Sequence, residues 1–249
     1  YSLVLMDDVV NAIDDMAYQM NTSRSNLINQ ILAEHVSYIT PEMRMKDIFD
    51  CVRTMMDNHF QIQGQASDAM LSIRSPLRFK YKPTIRYRVE LLREMKESTF
   101  GFLSVSFRTQ SVQLINALDS FFQLWYAMEN KYIGKYFENG IEYEYSDGKF
   151  IRHLKIAENV SHIDSDKLGK ALGEYIRLMD SEIKIYFENL DFPESAVIKV
   201  EKLYNDALYE CSEYGYNLDL SFDSFSKMLR ELDISKIDTP GFSVNYEEN

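Results

Sequence analysis

Hydrophobic positions along the first forty residues change period twice. In "YSLVL" the apolar Tyr1, Leu3 and Leu5 alternate with Ser2 and Val4, which predicts a short strand with two distinct faces. From Asp7 onward Val9, Val10, Ile13, Met16, Ala17 and Met20 recur at helical spacing, with Asp7 and Asp8 in the first turn beside the positive end of the helix dipole. Asn21 follows the last apolar position, where a left-handed residue ends a helix. Ser23 then stands as the cap of a second helix with the stripe Leu27, Ile28, Ile31 and Leu32. A five-residue strand and two one-faced helices bury little by themselves. Two copies pairing their strands antiparallel and packing their helices together solve both problems.

Farther along, "TPEMRMKDIFDCVRTMMDNHF" predicts a helix capped by Thr40, with Pro41 at its first position and Met45, Ile48, Phe49, Val52, Met55 and Met56 on one side. "QIQGQAS" reads as the boundary between modules. Residues 69–107 read as β-rich. "LRFKYKPTIRYRVELL" alternates, with a turn at Lys82-Pro83-Thr84, and "FGFLSVSF" adds a strand. "SVQLINALDSFFQLWYAMENKYIGKYF" is apolar on most sides and predicts a central buried helix. "IEYEYSDGKFIRHLKI" is a hairpin with Asp147-Gly148 at its turn. Helices are expected near residues 164–190, 194–213 and 221–233. The expected fold class is α+β, mostly helical: a module at 1–38, a connecting helix at 39–60, an α+β domain at 66–235 and a weakly ordered tail at 236–249.

The order and spacing of residues 1–36, with "NTSRSNLINQIL" after the first helix, resemble the ribbon-helix-helix family of repressors. The resemblance implies a dimer whose paired strands enter the DNA major groove and whose second helix holds a backbone phosphate at its N-terminus. Carried onto this chain, Ser2 and Val4 face bases, Val4 offering only apolar contact, and Thr22, Ser23, Arg24 and Ser25 form the phosphate clamp. A third base-facing position would lie before Tyr1, and residues upstream of that non-Met start are expected.

Charge complicates this expectation. The chain carries −12 overall, and residues 1–40 hold five acids against Arg24 alone. Such a balance opposes the attraction that dominates most DNA affinity. Between residues 74 and 93, however, seven bases meet one acid. Arg78, Lys80, Lys82, Arg86 and Arg88 there form a possible second basic surface, able to follow a nucleic-acid backbone. The simpler expectation is a solvated hairpin face beside the acidic C-terminal half.

Chemistry beyond binding has little footing. His35, His59, His153 and His162 show no ligand spacing, and Cys51 and Cys211 read as reduced core residues of a cytoplasmic protein. No glycine-rich phosphate loop or nucleophile elbow is present. Glu142 and Glu144 share a strand face and read as exposed hairpin charges. No apolar run approaches the ~20 residues that span a bilayer. The expectation is therefore a non-enzymatic, cofactor-free, dimeric DNA-binding regulator with double-stranded DNA and itself as partners and no membrane association. Its larger domain would serve effector sensing, oligomerisation or partner binding. The alternative is an antitoxin-like interaction factor whose acidic C-terminal half meets a protein partner.

Overall fold

Short hydroxyl side chains set the helix starts that the sequence predicts. A computed structural model describes residues 4–36, 38–64, 67–79, 82–109, 111–137, 139–146, 148–156 and 164–212. In it Ser23 accepts from the Asn26 amide, Thr40 from Met43 and Ser111 from Leu114, each satisfying a donor that the first helical turn leaves free. Helices α1 (Asp7–Gln19) and α2 (Arg24–His35) are joined through Asn21, whose φ of 52° is the left-handed value expected of a helix stop. Helix α3 (Pro41–Met55) carries proline at its first turn.

Strands β1 (Gln61–Ile62), β2 (Met70–Pro76), β3 (Thr84–Lys96), β4 (Thr99–Phe107), β5 (Tyr143–Ser146) and β6 (Lys149–Lys155) form one antiparallel sheet in the order β1-β2-β3-β4-β6-β5. Alternation puts Leu71, Ile73, Ile85, Tyr87, Val89, Leu103, Val105 and Phe150 on one buried face. That face shares a core with α4 (Val112–Tyr132), α5 (Ser165–Glu188) and α6 (Pro193–Ser212). Phe122 of α4 stacks on Phe150 of β6 at 4.6 Å, 2° from parallel. The described residues thus make an α+β protein of six helices and a six-stranded sheet. The helix expected at 221–233 and the tail at 236–249 lie outside the described residues.

Two elements differ from the sequence expectation. The helix read as a connector belongs to the core: Met45, Ile48, Phe49 and Val52 are buried there, and α3 lies along α5. The first residues of the stretch read as a boundary pair with β2, Gln61 opposite Arg74 and Ile62 opposite Ile73. The α3–α5 approach depends on two glycines at helical spacing. A Cβ on Gly169 would stand 2.6 Å from Cys51 Cβ and 2.9 Å from the Ile48 carbonyl oxygen, and one on Gly173 would stand 2.6 Å from Met55 Sδ. Gly169→Ala is therefore expected to lower stability by about 1–3 kcal/mol through overpacking, despite alanine's better helix propensity. Urea unfolding checks it, and a stabilised variant would contradict the close approach.

Candidate nucleic-acid interface

The turn between α1 and α2 gathers the residues of the expected clamp. Thr22 Oγ1 accepts from Asn26 Nδ2 at 3.0 Å, while Ser23 Oγ takes the Asn26 amide at 3.2 Å. The chain reverses through Thr22 N–H donating to the Ala17 carbonyl at 2.9 Å. The capped amide is the third of the helix, so those of Arg24 and Ser25 remain as outward donors at the positive end of α2, both residues being exposed. Such a terminus can donate to a phosphate oxygen without further rearrangement of the backbone.

Arg24 is already engaged. Its Nε and Nη2 both donate to the Asp14 carboxylate of α1, a forked pair with about half of each side chain exposed. The hydrogen bond from Arg24 holds the Asp14 carboxyl below its ordinary range. A phosphate recruiting Arg24 must displace Asp14, a small cost for a solvent-exposed pair. The forked donor set suits carboxylate and phosphate alike.

Of the expected base-facing residues, Ser2 lies outside the described residues. Val4 is 91% exposed and precedes α1 without strand pairing in a single chain. The same chain leaves Val9, Met16, Met20, Ile31, Leu32 and Val36 exposed, while only Ala17, Leu27 and Ala33 of the two helices are buried. The apolar stripes of α1 and α2 are thus half-used.

The expected second basic surface is divided. Arg86 and Arg88 lie on β3, on the face opposite the core. Arg78 and Lys82 sit in the β2–β3 loop, not on a strand as the alternation implied, and Lys80 lies outside the described residues. Register adds two cations that sequence reading missed. Arg74 stands opposite Arg86, Arg86 opposite Ser106, and Ser106 opposite Lys149, giving a row across four strands. Directly opposed like charges repel, and the Nε of both Arg74 and Arg86 has no hydrogen-bond partner among the described residues.

The pair Glu142 and Glu144 also acquires a role. They grip His153 from both sides, Glu142 Oε2 at 3.0 Å from Nδ1 and Glu144 Oε1 at 2.8 Å from Nε2, and Glu142 also meets Lys155 Nζ at 2.5 Å. The Lys155 hydrogen bond holds the Glu142 carboxyl below its ordinary range. Among the described residues no group of three His, Cys, Asp or Glu side chains is arranged to hold a metal ion, and no helix is long and apolar enough to cross a membrane. No family model, curated protein or solved structure matches the chain.

Proposed function

We propose that the chain is a dimeric, sequence-specific DNA-binding regulator of the ribbon-helix-helix kind, with the α2 N-terminus as its phosphate clamp. One observation carries the reading: α1, the left-handed Asn21 and the Ser23-capped α2 form a helix pair with an exposed N-terminus and largely uncovered apolar stripes. The open amides suit a phosphate, and the stripes suit a second copy of the same pair. The exposed Val4 segment ahead of α1 would gain strand pairing from that second copy, as the family's ribbon does. In this reading the larger domain serves effector sensing, oligomerisation or partner binding.

Two variants test it. Ile31 is 41% exposed in one chain, so Ile31→Asp leaves a lone chain stable but puts an unpaired charge into a shared helix interface. Sedimentation is expected to show a dimer for the wild type and a monomer for Ile31→Asp, with the larger domain still folded. Arg24→Ala is expected to weaken binding to every DNA sequence alike and to lower the slope of log affinity against log salt by about 0.9 per lost phosphate contact. A full chain that stays monomeric, or ignores DNA at low salt in a selection from random duplexes, overturns the proposal.

A further inference from the structure

Charges on the β2–β3 loop and on α5 converge on a cleft about 1000 Å³ in volume, walled also by the residues after α3. We propose that this cleft binds a small phosphorylated ligand bearing a flat ring, of nucleotide size.

The electrostatic balance of the cleft favours an anion once internal pairs are removed. Its acids are Asp57, Asp180 and Glu188. Asp57 accepts from its own turn, from the His59 amide at 2.9 Å and the His59 ring at 3.2 Å. Asp180 is buried, accepting from Tyr87 Oη at 3.0 Å and from Lys184 Nζ at 2.5 Å. Burial and the Asp180 charge push the Tyr87 phenol well up, so it stays a donor to that carboxylate. That leaves two carboxylates to set against the remaining cations: Asp57, whose charge also acts on Arg177, and Glu188, exposed at the end of α5. Those cations are Arg78, Lys82 and Arg177, which make no ion pair among the described residues. Two of the three are arginines, whose planar forks match phosphate oxygens.

The apolar part of the wall is aromatic. Phe60 lies 5.7 Å beneath Lys184 Nζ, and Phe79 meets Phe187 edge-on at 5.4 Å. Both Phe60 and Phe79 are half-buried and line the cleft, offering ring surface to a flat group. A volume of this size is at the upper end of the range of about 300–1000 Å³ typical of small-ligand sites.

The described ends of the loop are tied to each other. Leu77 N–H donates to the Pro83 carbonyl at 2.9 Å and Lys82 N–H to that of Phe79 at 2.8 Å. Lys82 takes a left-handed φ of 43° directly before proline, a conformation disfavoured for any side chain at that position. On α5, Arg177, Ser181, Lys184 and Glu188 recur at helical spacing and so present one face to the cleft.

Calorimetric titration of the full chain, without DNA, uses ADP, inorganic phosphate and adenosine as probes. ADP is expected to saturate at one molecule per chain, with phosphate and adenosine each weaker by at least about tenfold, since each lacks half of the recognised chemistry. Arg78→Gln combined with Arg177→Gln is expected to weaken ADP by at least about tenfold through lost charge-assisted hydrogen bonds. Both positions are exposed, so the fold is retained, which Trp125 fluorescence verifies. Lys149→Gln, on the opposite sheet face, is expected to change nothing. No saturable ADP binding at millimolar concentration, equal affinity for phosphate alone, or a double variant that binds like the wild type would each overturn the proposal.

Discussion

Arg152→Met is expected to destabilise the protein by about 3–5 kcal/mol, because it strands a buried carboxylate. Arg152 of β6 is 6% exposed and Glu129 of α4 not at all. Arg152 Nε donates to both Glu129 oxygens, at 3.0 and 3.1 Å. Glu129 Oε2 also takes Trp125 Nε1 at 2.9 Å, Tyr143 Oη at 2.7 Å and Tyr175 Oη at 3.0 Å. The arginine faces the Tyr175 ring at 4.8 Å. Burial works against the Arg152 cation, but the Glu129 charge outweighs it and raises the guanidinium above its ordinary range. Neutral donors alone do not balance the carboxylate when the cation is removed. Glu129→Gln together with Arg152→Met removes both charges and is expected to recover much of the loss, the signature of a coupled pair. Denaturant unfolding followed by Trp125, the single tryptophan and a member of the network, reads both effects. An Arg152→Met variant within 1 kcal/mol of wild type would contradict the account.

That network illustrates what a sequence conceals. Glu129 and Arg152 are 23 positions apart, and nothing local distinguishes Glu129 from Asp119, the other acid of its helix. Only the sheet register, which sets Tyr143 opposite Arg152, and the packing of α4 bring them together. Features decided within a few residues were legible: the caps Ser23 and Thr40, the Asn21 stop and the alternation of β3 and β4. Alternation misled at Arg78 and Lys82, because a period of two cannot show where hydrogen-bonded pairing ends. The ladder runs only to Pro76 opposite Thr84, and Lys82 turns left-handed just before it. The basic row of the outer face needed the same missing register. Glu142 and Glu144 looked bare because His153 sits on the next strand. The cleft face of α5 was within reach, since Arg177, Lys184 and Glu188 stand seven and four residues apart, but its other walls come from distant segments.

Two further acids give the protein an unusual dependence on pH. Glu182 of α5 is fully buried, and neither carboxyl oxygen has a hydrogen-bond partner among the described residues. Burial, reinforced by the Glu129 charge, pushes its carboxyl well above the ordinary range. Glu201 of α6 is 7% exposed, and burial lifts it from 4.5 to about 7, although Tyr132 Oη donates to it at 3.3 Å and Lys131 lies near. A carboxyl whose folded pKa is raised holds a proton that the unfolded chain has already released. Its contribution is therefore complete below about pH 4.5 and is lost as pH rises through the folded value. For Glu201 that window runs from about 4.5 to about 7, and the shift corresponds to roughly 3 kcal/mol. Lys131, lowered by its own burial, faces Glu201 and reduces the loss once the acid ionises. Stability is thus expected to fall between pH 5 and pH 8, where many proteins change little. Glu201→Gln mimics the protonated acid, so it is expected to match wild type near pH 5 and exceed it by up to about 3 kcal/mol at pH 8. Glu182→Gln is expected to act in the same direction, with its gain extending to higher pH. Urea unfolding at both pH values decides the matter: equal stability of wild type at pH 5 and 8, or a Glu201→Gln variant weaker at pH 8, would mean that burial does not raise these carboxyls in the folded protein.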